Sequence, residues 1–134
     1  MEISDEQRAD LIERALQARQ SAYAPYSEYA VGAALLTSSG RVFTGANVEN
    51  AAYPVSICAE RVAVFKAVTE AERRFSAIAI ATDNGGSPCG SCRQVLSEFG
   101  LETQVLMVDK NGTVVRRMIV GELLPAAFRP SDLA

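Results

Sequence analysis

Histidine is missing from all 134 residues of this chain, and cysteine occurs only three times. The first absence bounds the metal chemistry. A closed structural zinc site takes four Cys or His ligands. With three such residues in total, a metal held by them keeps its fourth position open, the mark of a catalytic zinc. The scarcity of cysteine excludes a secreted disulfide framework, because three cysteines cannot all pair within one chain and Cys89 and Cys92 stand side by side in a Cys-x-x-Cys. A reducing, cytoplasmic setting is expected. Long apolar runs are also lacking: the longest are strand-sized, which excludes a spanning helix. The opening MEISDEQRADLIERAL is charged and has no apolar core, so neither export nor a membrane anchor is expected. Nor is there a basic excess. Lys and Arg number 13 against 16 Asp and Glu, for a net charge of −3. Basic residues pair up only at Arg73-Arg74 and Arg116-Arg117, which read as solvated surface. A polynucleotide partner needs a basic face, so no nucleic acid is expected, and a small, nearly uncharged substrate suits the chain better.

What is present reads as one globular domain spanning residues 1–134: 49% hydrophobic, 22% charged and 7% aromatic, with no repeat or low-complexity run. Ser4-Asp5-Glu6-Gln7 has the form of a capping box, and Leu11, Ile12, Ala15 and Leu16 follow as an apolar stripe, giving a first helix closed by Pro25. Strands are expected over 29–36 and 41–45, antiparallel across the turn Ser38-Ser39-Gly40. An irregular connection runs from Asn47 to Ile57, the sort of segment in which function concentrates. A helix from Cys58 to about Glu72 is apolar on most sides, as for a helix packed into the interior. A strand over 76–82, a helix from Cys89 to about Phe99 ended by Gly100, and strands over 104–108 and 114–120 around the turn Asp109-Lys110-Asn111-Gly112 complete the pattern, with a short helix near Glu122. Strand-helix-strand units imply parallel neighbours and hairpins imply antiparallel edges. The expected fold is therefore α/β, a three-layer α/β/α sandwich around a mixed five-stranded sheet.

All three cysteines fall in Cys58-Ala59-Glu60 and Pro88-Cys89-Gly90-Ser91-Cys92, both at expected helix starts. Unpaired amides and the helix dipole there stabilise negative charge, lowering thiol pKa and favouring the thiolate that binds metal. Three thiolates around Zn²⁺ leave a formal charge of −1, a poor activator of water unless charge is drawn off. Two helix N-termini can do so, and Arg61 and Arg93, each beside a ligand, are placed to add cationic hydrogen bonds. A water at the open position is then expected to have its pKa lowered toward about 7. Glu60, two positions after Cys58, is close enough to take a proton from that water and deliver it to a ring nitrogen or leaving amine. A Cys-x-x-Cys pair also serves redox chemistry, and an Asp or Glu can complete a structural zinc site. A third cysteine preceding a glutamate sets the present pattern apart from a lone redox pair.

Three thiol ligands with a non-ligand glutamate describe the zinc nucleobase deaminases. Across nearly its whole length the chain resembles the small, homotetrameric cytidine deaminases. The stretches that carry the resemblance are 24–27 (APYS), 31–34 (VGAA), 44–50 (TGANVEN), 58–61 (CAER), 88–94 (PCGSCRQ) and 123–128 (LLPAAF). The resemblance implies one zinc per subunit on Cys58, Cys89 and Cys92, and Glu60 as the proton shuttle. It also implies hydrolysis at C4 of cytidine or 2′-deoxycytidine with loss of ammonia, in pyrimidine salvage. By the same resemblance Asn47 and Glu49 bind ribose, and the Ala59 backbone meets the base. Phe128 covers the base in a neighbouring subunit, and Tyr53 sits at a shared site, so the active site requires the oligomer. Tyr29 departs from the family, which commonly has phenylalanine against the substrate; its hydroxyl must find a partner or water. A blasticidin S-type deaminase is the nearest enzymatic alternative, and the Asn47-Val48-Glu49-Asn50 run favours a ribonucleoside over it. A polynucleotide-editing enzyme is disfavoured by charge and by the hairpin 104–120. A non-catalytic zinc module is the alternative of a different class.

Overall fold

The structure, a computed structural model, describes residues 2–133. Ser4 caps the first helix, α1 (Asp5–Arg19): its hydroxyl accepts from the Gln7 amide while the Gln7 side chain accepts from the Ser4 amide. This is the reciprocal box read from the sequence. The helix ends well before Pro25, however. The amides of Gln20 and Ser21 turn back onto the carbonyls of Gln17 and Ala18, and Arg19 docks its Nε on the Ala30 carbonyl at 2.9 Å. The last helical residue is thereby tied to the segment ahead of the first strand, a contact that local propensity does not encode.

Strands β1 (Gly32–Thr37) and β2 (Val42–Ala46) pair antiparallel, and Gly40 supplies the positive φ that their connection requires. Helix α2 (Ala59–Thr69) leads to β3 (Phe75–Ala81), and α3 (Gly90–Glu98) leads to β4 (Gln104–Val108). The hairpin to β5 (Val114–Ile119) and a short α4 (Val120–Leu123) follow, with 3₁₀ turns at Tyr53–Val55 and Pro130–Leu133 that the sequence pattern did not indicate. The sheet order is β2-β1-β3-β4-β5. Only β3 and β4 are parallel neighbours; β3 pairs antiparallel with β1. The unit β2-α2-β3 thus steps over β1 and does not create an adjacent parallel pair.

Side chains alternate across the sheet, as a strand period of two demands. Ala34, Leu36, Ala77, Ala79 and Leu106 meet Leu11 and Ala15 of α1 on one face. On the other face Ala33, Leu35, Ile78, Ile80, Val105 and Met107 meet Ala63, Val64, Leu96 and Val120. The result is the expected three-layer α/β/α sandwich with a mixed five-stranded sheet. Helix α2 is less enclosed than its composition suggested: Ala63, Val64 and Ala67 are buried, but Phe65 is 46% exposed in the single chain. No helix of the described residues is long and apolar enough to cross a membrane.

Strands β2 and β3 run in the same direction with β1 between them, so both end at one edge of the sheet. The loops leaving that edge deliver the first turns of α2 and α3, the usual place for a site in an α/β sheet. Close approach of α2 depends on Gly45. A Cβ there would lie 2.5 Å from the Ala59 carbonyl oxygen and 2.7 Å from the Ala63 amide nitrogen. Gly45→Ala is expected to cost about 2–3 kcal/mol and roughly 10 °C in Tm, measured by thermal melts. An unchanged melting temperature would show that α2 accepts a side chain beneath it.

Candidate metal centre and active site

Cys58 and Cys89 are the N-cap residues of α2 and α3, each in extended backbone and with no side-chain cap bond, and Cys92 lies in the first turn of α3. All three are free thiols. Their sulfurs lie within 4.8 Å of one another, with Cys58–Cys89 at 3.8 Å and Cys89–Cys92 at 3.5 Å. A tetrahedral ion bonded to sulfur at about 2.3 Å spaces its ligands about 3.8 Å apart. The donor set, its spacing and its position at two helix starts fit zinc.

The electrostatics of the cluster are uneven. A hydrogen bond from Cys92, with Arg61 beside it, pulls the Cys58 thiol down to about 5 against the opposing effect of burial. Donating that bond pushes the Cys92 thiol up, as do its burial and the nearby Glu60 carboxylate. Among the three thiols by themselves, Cys58 therefore carries the negative charge and Cys92 keeps its proton. A divalent cation is what allows all of them to ionise. Arg61 Nη2 donates to Cys58 Sγ at 3.3 Å, the cationic bond expected of it, and that contact raises the guanidinium's own pKa. Arg93 does something different from what its position in sequence suggested. Its Nε and Nη1 hold the carbonyls of Pro88 and Leu123, at 2.9 and 2.8 Å, tying the residue before Cys89 to the end of α4. Arg93 shapes the loop that presents the sulfur, and its nitrogens are taken up by backbone oxygens.

Glu60 is 5% exposed. Burial raises its carboxyl pKa, and the neighbouring Cys58 charge adds to the rise. It shares with Cys58 and Ala59 the floor of a cavity of about 540 Å³ whose walls include Tyr29, Asn47, Glu49 and Tyr53. That is room for a ligand of nucleoside size.

Asn47 follows β2 directly and is buried. Its Oδ1 accepts from the Val31 amide and its Nδ2 donates to the Tyr29 carbonyl, both at 2.9 Å. Glu49 accepts from the amides of Tyr26 and Ser27 at 3.0 Å and from the Ser27 hydroxyl. These bonds, the Ser27 hydroxyl first, hold its carboxyl below the usual carboxylate range. Three donors still leave part of a carboxylate's accepting capacity facing the cavity. Tyr53, 69% exposed, stands edge-on to Tyr26 with ring centroids 5.8 Å apart. Phe128 does not line its own chain's cavity; it is 55% exposed, and its carbonyl accepts from Gln94. The walls also include Ser27, Thr82, Gly86 and Ser87. Composition and spacing carried no sign of these, since small polar residues in Gly-rich loops are ordinary turn formers.

Replacing Arg61 by Gln removes the cation that favours the Cys58 thiolate. Zinc affinity is expected to fall about 10–100-fold, in competition with a chromophoric chelator. The loss should be larger at pH 6 than at pH 8, because protons compete once the Cys58 thiol moves back up. Wild-type affinity at both pH values would remove this role from Arg61.

The sequence model of the cytidine and deoxycytidylate deaminase zinc-binding region matches residues 5–108. A cytidine deaminase of Halalkalibacterium halodurans is 46% identical over 94% of this chain and 97% of its own length. That of Sporosarcina psychrophila is 44% identical over 92% and 93%. Among solved structures, cytidine deaminase from Burkholderia pseudomallei superposes with a TM-score of 0.86 at 45% identity, covering 94% of this chain and 100% of that one. Cytidine deaminase from Mycobacterium tuberculosis gives 0.80 at 41% identity, covering 94% and 98%. Three thiols gathered at two helix starts, in a fold shared with these proteins, have one explanation: the chain belongs to the family of zinc-binding cytidine and deoxycytidylate deaminases.

Proposed function

We propose that residues 1–134 act as one catalytic domain that hydrolyses cytidine and 2′-deoxycytidine to uridine and 2′-deoxyuridine plus ammonia. One zinc ion per subunit would be held by Cys58, Cys89 and Cys92. The observation that carries this reading is the buried Glu60 carboxyl beside three convergent sulfurs, two of whose residues, Cys58 and Cys89, line a nucleoside-sized cavity. When bound, zinc supplies a Lewis acid that acidifies water there. Glu60 takes the proton from the attacking water and gives it to N3 of the pyrimidine. It then carries the proton of the new C4 hydroxyl to the amino group, which departs as ammonia. Water is consumed, C4–O replaces C4–N, and the carboxyl returns to its starting state. A carboxyl whose pKa is raised by burial suits both halves of that task.

Asn47 and Glu49 serve the ribose hydroxyls, Tyr29 lies against the nucleoside, and the Ala59 backbone meets the base. Arg61 steadies Cys58, and Arg93 steadies the Pro88 carbonyl. The bulky exposed side chains Tyr26, Tyr53, Val55, Phe65 and Phe128 support a homotetramer, since apolar surface of this kind marks association. Phe128, outside its own cavity, then covers the base in a neighbouring subunit, with Tyr53 at the shared rim. The chain's net charge of −3 supports a free nucleoside as substrate, and with that substrate goes a cytoplasmic place in pyrimidine salvage.

Glu60→Gln is expected to retain zinc, by elemental analysis, and to lose at least about 10²–10⁴-fold in ammonia release from cytidine. Undiminished turnover would remove Glu60 from the chemistry; absence of turnover in zinc-loaded wild type would remove cytidine as substrate. Co-expression separates a shared site from a private one. Mixed oligomers of Glu60→Gln and Phe128→Ala chains contain sites with both groups intact, so their activity is expected to exceed the sum of the two variants. A strictly additive mixture would place Phe128 outside its neighbour's site.

A further inference from the structure

The hydroxyl that distinguishes Tyr29 from phenylalanine has a defined place. Tyr29 Oη donates to Asn84 Oδ1 at 2.8 Å, joining positions 55 residues apart in sequence. The same oxygen of Asn84 faces the Thr82 hydroxyl at 3.4 Å, and Thr82 Oγ1 accepts from the Gly86 amide at 2.8 Å. Gly86 is fitted to the tyrosine. A Cβ at that position would lie 2.4 Å from Tyr29 Oη but 3.7 Å from Tyr29 Cζ. The hydroxyl therefore occupies the volume that a side chain at position 86 would need, whereas a phenylalanine ring would leave it free.

These contacts continue along the wall of the cavity. The Tyr29 amide donates to Ser27 Oγ at 3.0 Å, and Ser27 Oγ donates to Glu49. From Glu49 the chain of hydrogen bonds passes through Ser27 and Tyr29 to Asn84, Thr82 and Gly86, in the loop that ends at Cys89. That loop contains two adjacent glycines, Gly85 and Gly86, and would be loose without such ties. The backbone of Asn84 is itself bridged to Asp109 beyond β4, so the Tyr29 hydroxyl is anchored to a framework. Ser27, Tyr29, Thr82 and Gly86 all line the cavity.

We propose that Tyr29, Asn84 and Gly86 form a matched latch that sets the 82–89 loop against the aromatic wall of the nucleoside pocket. Asn84 and Gly86 are thereby positioning residues for the bound substrate. The bonds of the latch reach neither Glu60 nor a sulfur, so the latch is expected to act alike on the bound substrate and the transition state. Its loss is therefore read in KM and not in kcat. The inference rests on the cavity being the nucleoside pocket, as proposed above.

The test is a panel of zinc-loaded variants assayed with cytidine, alongside hydrogen–deuterium exchange of the amides of residues 84–87 without substrate. Tyr29→Phe and Asn84→Ala are each expected to raise KM about two- to tenfold, the range of one neutral hydrogen bond, with kcat within about twofold of wild type. The double variant is expected to be no worse than either alone. Asn84→Asp keeps an acceptor oxygen and is expected to restore most of the lost affinity. Gly86→Ala is expected to be damaging beside Tyr29 and tolerated beside Tyr29→Phe. Exchange at 84–87 is expected to quicken in Tyr29→Phe and Asn84→Ala. Fully additive KM effects, an equal cost of Gly86→Ala in both backgrounds, or unchanged exchange would each overturn the latch. Failure of wild-type protein to deaminate cytidine would instead defeat the pocket assignment, and the exchange measurement would still decide whether the latch exists.

Discussion

Crowding of negative charge is the constraint on which the rest of the structure depends. Three sulfurs and the buried Glu60 carboxyl converge within one small volume, and such groups cannot all ionise in a low-dielectric setting unless positive charge answers them. The fold answers with the starts of two helices, with the Arg61 guanidinium on Cys58, and with a donor set suited to a divalent cation. The surrounding protein consists largely of the means of bringing two helix N-termini to one point and keeping them there.

The topology does this economically. Because β2 and β3 run the same way on either side of β1, the chain leaves the sheet twice at the same edge, each time entering a helix through a cysteine. Gly45 lets α2 settle onto β2 at backbone contact distance. Arg93 clamps the carbonyl preceding Cys89 to the end of α4, so the second loop is fixed to that helix. Polar groups of the cavity wall are secured in the same manner. Asn47 holds the 29–31 segment by two backbone bonds, and Glu49 holds the 26–27 turn. Both residues were read from sequence as ligand binders. In the structure they are also the struts of the wall on which a ligand would rest. Such double use keeps the wall in place before binding and reduces the ordering cost of the bound state.

Much of this was legible in the residues themselves, for local reasons. The capping box at Ser4 and Gln7 involves atoms three positions apart and forms as the pattern says. The hairpin turn 109–112 and the strand Gln104–Val108 follow from turn chemistry and alternation. The Cys58-Ala59-Glu60 and Pro88-Cys89-Gly90-Ser91-Cys92 stretches announce a metal because thiols so disposed have few other uses once histidine is absent. What the residues did not disclose was non-local. Arg19 at the end of α1 is bonded to the carbonyl of Ala30, eleven residues on. The direction of Arg93, away from sulfur and toward two carbonyls, depends on where α4 comes to lie. Phe65 looked like a core residue because α2 is apolar on most sides, and that pattern does not reveal which of those sides the sheet covers.

The sequence by itself determined the inventory of three thiols with no histidine beside them, the glutamate two positions after Cys58 and the alternation of strands and helices, because these are properties of residue type and short spacing. Tertiary structure alone decided that β3 lies beside β1, that the three sulfurs come within bonding distance of one ion, and that the Tyr29 hydroxyl finds Asn84 above a glycine. Each of these brings together groups far apart along the chain. Such contacts are set by the packing of whole layers, and no window of neighbouring residues contains the information to foresee them.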